Sequence, residues 1–164
     1  MKLGSLELNV KKGSTQIQKV MLGAQKIWEN FKVWSTTIQN PSSFSACEGF
    51  PNSQYVTFTN DGSYKVTNVT ATAHVLCHGN LGDDMSVLSA TATATIEVSN
   101  DNSKWTEVAR SSTATADRIQ NATAEASVSH AWKDGCPYKY IRCGTHGTSF
   151  KRYVVAQLSG YHKG

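Results

Sequence analysis

Between Ser89 and Ser99 the chain alternates without a break: Ala90, Ala92, Ala94, Ile96 and Val98 interleave with Thr91, Thr93, Thr95 and Glu97. A period of two is that of a strand, whose side chains point to opposite faces in turn; a helix cannot gather such a set on one side. The segment predicts a half-buried strand with a small-residue inner face. The pattern recurs. Tyr64-Lys65-Val66 leads into Thr67, Val69, Ala71, Ala73 and Val75 on one face, and Ala122 to Val128 alternates again. Tyr55–Thr59, Trp105–Ala109, Tyr138–Cys143 and Phe150–Leu158 add β-branched and aromatic runs. Turn residues separate them: Asn60-Asp61-Gly62, Gly79 to Asp84, and Asn100-Asp101-Asn102-Ser103. Residues 39–54 read as loop. Helical periodicity is unconvincing throughout, although Asp117–Ala126 leaves room for a turn or two. The expected class is all-β: a short N-terminal β-arm, residues 1–34, followed by an antiparallel β-sandwich or jelly roll, residues 35–164.

The arm repeats itself. Gly4-Ser5-Leu6-Glu7-Leu8 is followed by Gly13-Ser14-Thr15-Gln16-Ile17 and then by Gly23-Ala24-Gln25-Lys26-Ile27. A spacing of nine and then ten residues suits a short strand plus a tight turn and is too short for a helical or propeller repeat. The units carry little apolar mass, so they need a surface to pair with. Leu6, Leu8, Val10, Ile17, Val20, Ile27, Trp28, Phe31 and Trp34 are the candidate anchoring and oligomerisation residues. The dense patch from Ile27 to Trp34 is either the seam between arm and body, a subunit contact, or the first core strand of the body.

Charge follows the same division. Residues 1–34 hold six lysines and two glutamates, which accounts for the whole net charge of +4; the remainder holds ten basic and ten acidic residues. The lysines are dispersed and no arginine joins them, a pattern that keeps exposed strands soluble and unpaired. Nucleic acid is therefore not an expected partner. No segment has the length of a transmembrane helix, and Lys11 and Lys12 interrupt any N-terminal apolar run, so synthesis and assembly in the cytoplasm are expected.

Two family resemblances bear on this reading. The arm, from Leu3-Gly4-Ser5 to Gly23-Ala24-Gln25-Lys26-Ile27-Trp28, resembles the N-terminal segments of tail and other minor structural proteins of bacteriophages, over about the first fifth of the chain. In the body, Ala94-Thr95-Ile96-Glu97-Val98 through Trp105-Thr106-Glu107-Val108 is similar to the strand–turn–strand of discoidin-like (galactose-binding-like) jelly rolls, and Tyr138-Lys139-Tyr140-Ile141-Arg142 resembles a later strand of that family. That likeness implies Trp105 and Tyr140 as core aromatics and Arg142 as a strand residue near a sheet edge. It covers scaffold strands and leaves ligand binding open.

Reactive constellations are sparse. His74, Cys77 and His78 lie close in sequence, as do Cys136, Cys143 and His146, but no close Cys-x₂₋₄-Cys pair supports a structural zinc site. Asp83-Asp84 sits in a Gly-rich loop and suits solvent, or weak calcium binding with Asn80, better than a catalytic dyad. Nucleophile-elbow, P-loop and dinucleotide motifs are absent. No catalytic residue, metal or cofactor is expected. Trp132, in a polar stretch, and Tyr138 are candidates for a glycan-stacking platform. The function expected is a non-enzymatic structural protein of a phage virion, a tail or baseplate component, homo-oligomeric, bound to other virion proteins through its arm. Its rivals are a capsid decoration or head fibre protein and a carbohydrate-binding module that meets a host-surface glycan.

Overall fold

A computed structural model describes residues 19–22, 25–29, 31–40, 53–78, 87–119, 121–147 and 151–163. They form eleven strands and, among the described residues, no helix: β1 (Lys19–Leu22), β2 (Gln25–Glu29), β3 (Phe31–Asn40), β4 (Ser53–Thr59), β5 (Tyr64–His78), β6 (Val87–Ser99), β7 (Thr106–Arg110), β8 (Ala114–Ile119), β9 (Asn121–Ala131), β10 (Tyr140–His146) and β11 (Lys151–Lys163). Strands β1 and β2 make an antiparallel hairpin in which Val20 lies opposite Trp28. Leu6, Leu8, Val10 and Ile17 lie outside the described residues.

The other nine strands form two antiparallel sheets, ordered β3-β11-β5-β9 and β4-β10-β6-β7, with β8 also on β6. β8 pairs with Val87–Ala92 and β7 with Thr95–Val98, so the two are halves of one long strand beside β6. The break at Ser111–Thr113 is stitched down. Ser111 N–H donates to Ala94 O (2.9 Å), Ala94 N–H donates to Ser111 Oγ (2.9 Å), and the Thr93 and Thr113 hydroxyls bond at 2.9 Å. Counting β7 and β8 as one, the chain changes sheet at every step except the β6–β7 hairpin. This is the wrapping of an eight-stranded jelly roll.

Local chemistry sets the turns. At Asn60-Asp61-Gly62 the Asn60 side chain accepts from Gly62 N–H (3.0 Å) and donates to Tyr64 O (2.8 Å), while Gly62 takes φ of 90°. After β6, Asp101 Oδ1 accepts from the N–H groups of Ser103 (2.9 Å) and Lys104 (2.8 Å), and those bonds hold its carboxyl far below the usual carboxylate range.

The core lies between the sheets. Its middle is built of Ala71 and Ala73 on β5, Ala90, Ala92 and Ala94 on β6, and Ala122, Ala124 and Ala126 on β9, with Val66, Val69, Val75, Ile96, Val98, Ile141, Val154 and Leu158 around them. Toward one end Trp34, Phe58 and Tyr64 close the interior. Trp34 lies 4.6 Å from Tyr64 and 5.6 Å from Phe58 between ring centroids.

Several expectations need correction. β3 begins at Phe31 and pairs with β11 along its length, Phe31 opposite Lys163, so a boundary at residue 34 falls inside a sandwich strand. Trp34, expected among the anchoring residues, packs against this core. Asp117–Ala126 contains no helical turn; it is the end of β8 and the start of β9. β6 is not half-buried over its second half: Thr93, Thr95, Glu97 and Ser99 on its outer face are buried too. β10 on one side, with β7 and β8 on the other, covers that face with side chains.

The close approach of alanine to alanine yields a test. Ala92 is fully buried, and Ala92→Leu should lower the unfolding free energy by about 1–3 kcal/mol through overpacking. Urea denaturation of the two proteins measures the difference.

Candidate functional site

Each sheet turns one face outward, and the two faces differ in kind. On the β4-β10-β6-β7 sheet, Arg142 of β10 lies opposite Glu97 of β6, which is only 7% exposed. Arg142 Nε donates to Glu97 Oε2 at 2.5 Å, and its terminal nitrogen pairs with the same oxygen. The guanidinium is also held between two rings, 4.2 Å from the Tyr55 centroid and 4.1 Å from that of Trp105. Gly144 makes this possible. It lies opposite Tyr55 and Thr95, and a Cβ there would stand 2.7 Å from the Tyr55 ring and 2.6 Å from Thr95 Oγ1. Arg110 and Glu107 add a second ion pair, at 2.5 Å.

His146 completes this face. Its Nδ1 is 2.7 Å from Ser53 Oγ and its Nε2 is 2.9 Å from Thr95 Oγ1. Burial pushes its pKa down, with the Arg110 charge acting in the same direction, so the ring is neutral near pH 7. A serine against a neutral imidazole invites a nucleophilic reading. Yet the second ring nitrogen meets a hydroxyl, not a carboxylate, and the nearby charges among the described residues, Arg110 with Glu107 and Arg142 with Glu97, are paired with one another. The arrangement is a network that ties β4, β10 and β6 together.

The β3-β11-β5-β9 sheet presents the opposite. Three cross-strand rows cover much of its outer face: Ser35, Ser159 and Asn68; Thr37, Gln157 and Thr70; Gln39, Val155 and Thr72. Ser129 and Ser127 extend the last two rows on β9, bonded to Thr70 at 2.8 Å and Thr72 at 3.1 Å. No charged side chain stands in these rows. A concavity of about 490 Å³ lies over them, lined by Ser35, Thr36, Thr37, Asn68, Thr70, Gln157, Leu158 and Ser159. The register shift at Ser159/Gly160 adds local twist beneath it. At one end Tyr161 pairs with Val33, which is 85% exposed. At the other, Tyr153 stacks on His74 (4.4 Å), whose Nδ1 meets Glu125 at 3.0 Å. Burial lowers the His74 pKa although Glu125 opposes it.

The residues singled out by sequence fall elsewhere. Trp132 and Tyr138 are half-buried against the core. Trp132 follows β9 on the core side, with its backbone N–H donating to Thr67 O (2.8 Å) and its ring edge-on to His130. Trp105 and Tyr140 are outer-face residues, not core aromatics, because Tyr140 alternates with the buried Ile141 and Trp105 covers Arg142. Arg142 stands on an interior strand, with β4 and β6 on either side, and not near an edge. Cys143 faces the core, where burial pushes its thiol up to about 12, while His146 faces outward on the same strand. Cys77 packs against the core and His74 faces out. Among the described residues no three metal-ligating side chains converge.

No protein-family model matches the chain, and no curated protein matches it. Among solved structures it is similar to the Yersinia pseudotuberculosis-derived mitogen, at 14% identity and a TM-score of 0.34, covering 81% of this chain and 86% of that one. It is also similar to a Cowpea Mosaic Virus empty virus-like particle, at 10% identity and a TM-score of 0.31, covering 84% and 87%.

Two outcomes are expected from the closed face. Arg142→Ala should cost about 3 kcal/mol, because it strands the Glu97 carboxylate, and Arg142→Lys should recover only part of that loss; thermal and urea unfolding measure both. A histidine held below its unfolded pKa of about 6.5 binds its proton more readily in the unfolded chain. Stability should therefore be fully present above a pH of about 6.5 and fall as the pH drops through the lowered folded-state pKa. His146→Gln should flatten that slope in urea titrations at successive pH values.

Proposed function

We propose that this chain is a non-enzymatic structural protein of a bacteriophage particle, tail- or baseplate-associated, which attaches through its N-terminal arm and displays its jelly roll outward for host-surface adhesion. The observation that carries this reading is the Gly-turn-strand repeat. Its last unit, Gly23 to Ile27, runs into β2, which pairs with β1 and precedes β3 in the chain. Among the described residues β3, ten residues long, stands at an edge of its sheet with β11 beside it, and an edge of that length suits strand addition. Arm and edge suit one another. Strand addition from a neighbouring copy or another virion protein would satisfy both, and repetition would turn weak contacts into avidity. A symmetric homo-oligomer is the simplest assembly of that kind. A capsid decoration or head fibre protein would use the same arm and differ only in where it attaches.

The rival reading, a carbohydrate-binding module, is favoured by the uncharged concavity on the outer face. Neither reading involves nucleic acid or membrane insertion. Arm pairing predicts that the full chain sediments as an oligomer, and that Val20→Asp with Trp28→Asp shifts it toward monomer while the melting of the sandwich is unchanged. A monomeric full chain at high concentration would count against self-pairing and leave only a heterologous partner for the arm.

A further inference from the structure

The two outer faces offer different chemistry to a ligand. The closed face has spent its charges on itself. The face above β3, β11 and β5 keeps some of its hydrogen-bonding groups open: among the described residues, no hydrogen bond occupies the side chains of Ser35, Thr37 or Gln157, and all three are exposed. They border a concavity of about 490 Å³, within the usual range for small-molecule sites. Hydroxyls and amides both donate and accept, as the hydroxyls of a sugar do. The lining holds no cation to recognise phosphate, sulfate or carboxylate and no anion to recognise an amine. Strands fix these groups on a rigid sheet, and the Thr70–Ser129 and Thr72–Ser127 bonds hold the next hydroxyls in place.

We propose that the concave outer face of the β3-β11-β5-β9 sheet binds a neutral glycan, held by hydrogen bonds from Ser35, Thr37, Asn68, Thr70 and Gln157. The site is distinct from Trp132 and Tyr138, which pack against the core. It does not depend on the virion reading, because the isolated chain carries the whole groove.

The test is binding of the full chain to immobilised neutral hexose oligosaccharides (glucans, galactans and mannans) beside sialylated, sulfated and phosphorylated counterparts. Titration calorimetry with the best neutral ligand follows. The expected result is neutral-glycan binding that weakens at least about tenfold in Thr70→Val/Gln157→Leu, through the loss of direct bonds. Asn68→Ala should weaken it as well. Thr57→Ala, on the outer face of the other sheet, and Trp132→Phe should leave it unchanged. Melting curves confirm that each variant folds. Absence of neutral-glycan binding at millimolar ligand overturns the proposal. So does binding restricted to anionic glycans, or binding that survives the double variant or disappears in Trp132→Phe. Self-association abolished by the double variant also overturns it, since the face is then an interface between copies. The arm's role is read separately by sedimentation, so either idea can fail alone.

Discussion

Alanine faces alanine across the middle of this sandwich, and the rest of the architecture depends on that close approach. Small side chains on β5, β6 and β9 bring the two sheets together where larger ones would hold them apart. The bulk missing from the centre is supplied at the margins. Trp34, Phe58 and Tyr64 close one end, and Ile96, Ile141 and Leu158 fill the layers between. A core of this kind tolerates little added volume at its centre.

The two outer faces divide the labour of the fold. One is spent on cohesion: a buried carboxylate, a guanidinium held between two rings and a neutral imidazole bound at both nitrogens. Such a network is stable only when every member is satisfied, and Gly144 leaves the space that lets each member reach its partner. The other face carries hydroxyls and amides without charge, the weaker but more adaptable chemistry of recognition.

Much of the fold was legible in the chain. The period-two runs marked β4, β5, β6, β9, β10 and β11, and the inner face of β6 was read correctly because alanine and threonine alternate there without exception. β8 escaped because Ala114–Ile119 is short, polar and charged; it is a strand because β6 is long enough to hold two partners in succession. The outer-face burial of Glu97 and Thr95 escaped for a related reason. Alternation says which face a residue takes, not how much the neighbouring strands will cover it.

The sequence by itself determined that this would be an all-β chain, where most strands lie and which residues of β6 face inward, because alternation and turn chemistry act over a few residues. It also confined the net charge to the first 34 residues. Only the tertiary structure decided which strands became neighbours. That choice brought Arg142 between Tyr55 and Trp105, turned Trp132 and Tyr138 toward the core, and set Ser35, Asn68 and Gln157 around one concavity. These residues are far apart in sequence and share no local pattern, so their meeting is fixed by long-range strand pairing across the jelly roll.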